Sequence, residues 1–263
     1  MTEDNVAFAR LQHGAVEIEG RLQGSSNAAL RVVCSDASGS MRAVYKPRRG
    51  ERPLWDFPSG TLGHREVAAA VVDRALGWGL VPATLWREDG PLGPGSIQAW
   101  VDADDDRAPV EVVEVDQSPP GWLSVAEGEG SQGEHVCLVH ENSLALQRLA
   151  VLDLVINNAD RKGGHVVRDT SGQILGIDHG LTFHTEDKLR TVLWGWSGDR
   201  IDASTLEDLA RCIRTFDALA EDLRPLLSRA EVASTKNRLV EALEAAVFPV
   251  PEHSWPALPW PAM

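Results

Sequence analysis

Three residues in the run NNADRKGGHVVRDTSGQILGIDHG, which spans Asn157 to Gly180, have types and spacing that can do chemistry. Asp160 follows an apolar stretch and opens a short loop containing glycine. His165 stands five residues later, at the start of a strand-like segment, and Asp178 closes the next such segment, just before His179-Gly180. Thr170-Ser171-Gly172 between the two segments is a hairpin signal, which brings all three side chains to one end of a small sheet. One carboxylate there can orient a hydroxyl nucleophile while the other holds a divalent metal on the phosphates of a nucleotide. Each Asp by itself reads as a turn residue; their order and spacing together favour the chemical reading.

Lys46 is the second feature. In VYKP it ends an otherwise apolar strand, where a lysine either reaches for solvent or points into a cleft. Glu66 follows twenty residues later, near the start of a helix. Alone it is an ordinary first-turn acid favoured by the helix dipole; paired with Lys46 it would set the ammonium against phosphates. The third feature is the turn from Gly20 to Asn27, in which Gly24, Ser25 and Ser26 can lay backbone N–H groups over phosphates. It lacks the GK[ST] of a Walker loop, and Gly and Ser fill any hairpin turn.

The elements that must position these residues fall into two halves. Residues 16–22, 27–35 and 41–47 are short, rich in β-branched residues and separated by turn chemistry, which predicts an antiparallel meander. Residues 62–78 predict a helix with Val67, Ala70, Val71 and Leu76 on its apolar face, and 84–89 and 96–101 predict two further strands. Residues 102–134 hold ten acidic residues against Arg107 alone, with Pro109, Pro119 and Pro120, and read as a long, partly flexible, solvated connection. Beyond them, 143–158, 204–222 and 231–247 predict helices. The run from residue 249 has five prolines and no helix pattern; it either docks through Trp255 and Trp260 or stays loose.

This combination resembles the protein-kinase-like superfamily, most closely its phosphoinositide 3-/4-kinase-like branch and, within it, actinobacterial-type proteins. The matching pieces are the turn 20–27, Lys46, Glu66, the strand Gln98-Ala99-Trp100-Val101, Asp160-Arg161 and Asp178-His179-Gly180. The resemblance implies an α+β, two-lobed protein-kinase-like fold: a small antiparallel-sheet lobe with one helix at 1–101, the acidic connection at 102–134, and a mainly helical lobe at 135–263. It implies an ATP-dependent phosphotransferase acting on a hydroxyl acceptor, which could be phosphoinositide-like, a small molecule or a protein. Asp160, Lys162 and Arg161 take the catalytic positions. Lys46, Glu66, Gly24, Ser25, Ser26, Gln98, Trp100 and Val101 take the nucleotide positions, with adenine near 97–101. Asp178 and His165 take the metal, Mg or Mn. His165 departs from the family's Asn, and imidazole suits Mn better than Mg; that departure supports an alternative reading as a pseudokinase that binds nucleotide or a partner. Lys188 and Arg190 lie where the family reads its substrate.

Composition limits the rest. The 263 residues carry a net charge of −14, which argues against general binding of nucleic acid or anionic lipid. No apolar run is long enough to insert in a membrane, the first residues lack a signal-peptide pattern, and three scattered cysteines fit a cytoplasmic protein. His135, Cys137 and His140 (HVCLVH) fit a strand entering a core better than a metal site, and Asp102–Asp106 lack the Gly and Glu of a calcium loop.

Overall fold

The computed structural model describes residues 3–22, 27–251 and 256–263. An N-terminal helix α1 (Glu3–His13), absent from the sequence expectation, precedes strands β1 (Ala15–Arg21), β2 (Leu30–Asp36) and β3 (Gly39–Pro47). Helix α2 (Leu62–Leu76) follows, then β4 (Thr84–Arg87) and β5 (Gly95–Ala99). The five strands form one antiparallel sheet in the order β1-β2-β3-β5-β4, so β5 lies between β3 and the edge strand β4. Its own small core holds Leu11 of α1 together with Val32, Cys34, Ala43, Tyr45, Leu85 and Ile97.

The acidic stretch is more regular than its composition predicts. It contributes β6 (Val110–Glu114) and β7 (Leu123–Glu129), which flank β8 (His135–His140) in a three-stranded antiparallel sheet. Ahead of β6, Asp104 N–H donates to the Arg168 carbonyl at 2.7 Å. Most of the acids, Glu114, Glu127 and Glu129 among them, are exposed, so the composition reported contact with water and not the lack of a strand. In β8 strict alternation separates Cys137 from His140, and exposed His135 pairs with Glu127 at 3.0 Å, so HVCLVH is a structural strand.

Helix α3 (Leu144–Ile156) leads into the loop of Asp160 and the hairpin of β9 (Val166–Arg168) and β10 (Ile174–Gly176). Helices α4 (Ala203–Arg214), α5 (Phe216–Leu223) and α6 (Arg229–Ala245) complete the lobe. Its core takes in α2 as well: Val67, Ala68, Ala69, Val71, Val72 and Leu76 belong to the same buried cluster as Leu149 and Leu152 of α3 and Leu239 of α6, not to the core of the sheet. Among the described residues no helix is long and apolar enough to cross a membrane.

Candidate functional site

Between the sheet and the helical lobe lies a cleft of about 420 Å³. Lys46, Glu66, Asp160, Lys162, His165, Asp178 and Gly180 line it, together with Glu51 to Leu54 of the β3–α2 connection. Lys46 reaches it because strand alternation points residues 44 and 46 of β3 away from the sheet core that Ala43 and Tyr45 fill. Its ammonium lies 2.5 Å from Glu66 Oε1 and 2.9 Å from Asp178 Oδ1. Burial pulls the Lys46 pKa down, but the Asp178 and Glu66 carboxylates outweigh it and the net shift is upward. The same ammonium holds Asp178 well below the usual carboxylate range, while burial pushes Glu66 up.

Asp178 adopts φ of 58°, a left-handed conformation that Asp tolerates better than most residues, and this turns its carboxylate into the cleft. Its Oδ2 lies 3.4 Å from His165 Nε2. His165 Nδ1 faces the Asp160 carbonyl at 3.0 Å, an acceptor, so this nitrogen carries the ring proton. Burial lowers the His165 pKa, and the neutral ring directs the Nε2 lone pair at a carboxylate oxygen. His165 Nε2 and Asp178 Oδ2 are the pair of donors that would hold a divalent cation here. Among the described residues no cluster of three metal-ligating side chains exists.

Asp160 is shifted upward by burial, and Lys162 Nζ lies 3.4 Å from its Oδ2. Its position is set by a buried network in which Arg161 joins two residues not singled out from the sequence, Asp153 and Asn158. Asp153 of α3, fully buried, accepts from Arg161 Nε and Nη2 and from Asn158 Nδ2. Asn158 Oδ1 in turn accepts the Asp160 N–H at 3.0 Å. Arg161 Nη1 donates to the Ile177 carbonyl at 2.8 Å and its Nη2 meets His179 Nε2 at 2.8 Å, so one guanidinium grips both neighbours of Asp178. Arg161, expected among the catalytic residues, is fully buried and is not among the described residues lining the cleft; its guanidinium holds the Asp160 loop and the Asp178 turn. The signal for Asp153 was a carboxylate inside the apolar run of α3.

Other expectations shift. Gly24, Ser25 and Ser26 fall outside the described residues, as does Trp255. Gln98 pairs across the sheet with Val44, but its amide donates to Thr84 Oγ1 at 2.7 Å, and Trp100 donates from its indole to Asp102. None of Gln98, Trp100 and Val101 is among the described residues lining this cleft. Lys188, read as facing a substrate, is buried: its ammonium bonds Asp56 at 2.8 Å under the Trp55 ring, and its N–H donates to Asn157 Oδ1. Arg190 is committed through its backbone, which accepts from Arg161 N–H and donates to the Asn158 carbonyl.

No family model matches the chain. Over 274 residues it is 42% identical to Protein Rv2133c of Mycobacterium tuberculosis (strain ATCC 25618 / H37Rv), spanning 100% of this chain and 97% of that protein. Among solved structures, the crystal structure of the Golgi casein kinase superposes with a TM-score of 0.51 at 14% identity, covering 94% of this chain and 80% of that one. The crystal structure of the Helicobacter pylori proinflammatory kinase CtkA gives 0.48 at 11% identity, covering 90% and 94%. The first likeness agrees with the α+β, two-lobed kinase-like fold expected from the sequence.

Proposed function

We propose, for a chain that belongs to the same family as Protein Rv2133c, that the cleft transfers the γ-phosphoryl group of ATP to a hydroxyl acceptor, a reading supported by the residues lining it. The observation that carries this reading is the single Lys46 ammonium shared by Glu66 and Asp178, residues of a strand, a helix and a turn far apart in sequence. A cation fixed in this way, beside a half-exposed carboxylate in a cleft, is suited to hold polyphosphate. Lys46 would contact the phosphates. Asp160, raised by burial, would orient the acceptor hydroxyl and take its proton late in transfer, and Lys162 would neutralise charge beside it. Asp178 and His165 would hold Mg or Mn, which when bound neutralises the phosphate oxygens. The turn 20–27 and the strand at 97–101 remain the proposed places for phosphates and adenine.

The acceptor is proposed to be a soluble small molecule, a phosphoinositide-like headgroup or a protein, in keeping with the phosphoinositide-kinase-like motifs. The test is a calorimetric titration with ATP in Mg²⁺ and in Mn²⁺, followed by ATP consumption with a panel of metabolites, lipids and proteins. Binding together with turnover is the expected result. Binding without turnover in either metal would make this a pseudokinase, and absence of binding would overturn the nucleotide reading.

A further inference from the structure

The catalytic loop contains two adjacent glycines, and they have different surroundings. A Cβ on Gly164 would meet nothing within 4 Å. A Cβ on Gly163 would lie 2.7 Å from Met263 Cε, closer still to its Sδ, and 3.3 Å from Val110. Met263 belongs to the segment 256–263, roughly a hundred positions further along the chain. The contact includes a backbone bond, Gly163 N–H to the Ala262 carbonyl at 2.7 Å. The other end of the segment is also tied down: the Ala257 carbonyl accepts from Thr191 N–H at 3.1 Å and from the Trp194 indole at 2.9 Å. Between these anchors Leu258 and Ala262 pack against the core of the helical lobe, while Trp260 is 92% exposed. The segment docks, then, through its small residues and Leu258, not through Trp260.

The two anchored places are themselves paired. Val192 N–H donates to the Arg161 carbonyl and Arg161 N–H to the Arg190 carbonyl, a short ladder joining the Asp160 loop to the segment after Asp178. A glycine pair gives a loop more freedom than any other dipeptide, and that freedom must be removed if a carboxylate three positions away is to stay in place. The backbone of 257–262 removes it from outside, and the missing side chain at 163 makes room for Met263.

We propose that residues 256–263 are a positioning element for the catalytic loop, clamping it at Gly163 and the segment after Asp178 at Thr191. The clamp acts on Asp160 through the backbone and touches no reactant; the inference rests on Asp160 being the acceptor-orienting group. It is tested in the full chain by three variants: Gly163→Ala, Gly164→Ala and the double variant Gly163→Ala with Met263→Gly. The first readout is hydrogen exchange of the amides of 160–166, which needs no substrate. Gly163→Ala should raise exchange there at least tenfold, Gly164→Ala should leave it within about twofold, and the double variant should regain most of the protection. The second readout is turnover. Gly163→Ala should lower kcat at least tenfold with KM for ATP within about twofold, and Met263→Gly should restore at least half of it. Unchanged exchange in Gly163→Ala, or a defect that Met263→Gly does not relieve, overturns the clamp. If no acceptor supports turnover in the parent protein, the exchange result still decides the clamp while the phosphotransfer reading fails separately.

Discussion

Arg65 and Glu66 are consecutive residues of α2 with opposite obligations. Glu66 turns to the sheet and holds Lys46 at 2.5 Å. Arg65, buried and stacked 5.0 Å from the Phe57 ring, donates to the Thr182 carbonyl at 2.5 Å and to Glu231 at the start of α6. Glu231 also closes the capping box of α6 with Ser228. The helix that supplies the acid for the cleft is thus bolted to the lobe below it, and Arg65→Met should weaken nucleotide affinity and stability together. A melting temperature that falls with no change in ATP affinity would separate the bolt from the site.

Asp178→Asn keeps the size and the tolerance for φ of 58° but removes the charge. ATP affinity in the presence of metal should fall at least tenfold while the circular dichroism spectrum stays that of the parent. Undiminished affinity in calorimetry would remove Asp178 from the metal.

Asp160→Asn is nearly isosteric and cannot accept a proton. ATP and metal should bind as before, and turnover should drop by roughly two to four orders of magnitude, the range of a general base. Lost ATP binding with Asp178→Asn still binding would mean that the two carboxylates exchange roles.

The Arg161–Asp153 pair is fully buried on both sides. Removing one partner leaves an uncompensated charge in the core, so Asp153→Leu should cost about 3–5 kcal/mol in urea unfolding. Adding Arg161→Met to it should cost much less than the sum of the two single changes. Simple additivity would show that the two side chains do not act as a pair.

His140 predicts a pH dependence away from the cleft. Its Nε2 accepts the Gly195 N–H at 3.0 Å and Nδ1 faces the Glu141 carbonyl at 2.9 Å, with the Trp196 ring at 4.3 Å. Burial lowers its pKa below the usual imidazole value. The unfolded chain therefore binds a proton that the folded chain refuses, and this contribution is complete above about pH 6.5 and lost as pH falls below it. Comparing His140→Gln with the parent in urea melts from pH 7.5 to 5 should show a shallower decline, by up to about 1.4 kcal/mol per pH unit. Identical slopes would refute the assignment.

Much of this site was legible in sequence because its groups sit at turns whose chemistry is local. The loop after an apolar helix marked Asp160, and the Asp-His-Gly after a strand marked Asp178. Lys46 and Glu66 were legible as residues that break an apolar pattern. Four things were not. The Asp153–Arg161 network depends on three-dimensional closure, and only an acid in an apolar helix hinted at it. Lys188 and Asp56 stand 132 positions apart, so sequence could not say that each already has a partner. The strands of the acidic stretch were hidden because charge density reports which side faces water, not which hydrogen bonds the backbone makes. The placement of α2 in the lower core was hidden for a related reason: an apolar face predicts burial without saying against what.

That placement limits how the protein can be switched off. Drawing α2 away to separate Glu66 from Lys46 would strip Val67, Val71, Val72 and Leu76 from their neighbours in the helical lobe. At about 1.5–3 kcal/mol for each large apolar side chain returned to water, the displacement would consume most of the 5–15 kcal/mol that keeps an ordinary domain folded. Swinging this helix would therefore be costly, because its apolar face is part of the core of the helical lobe.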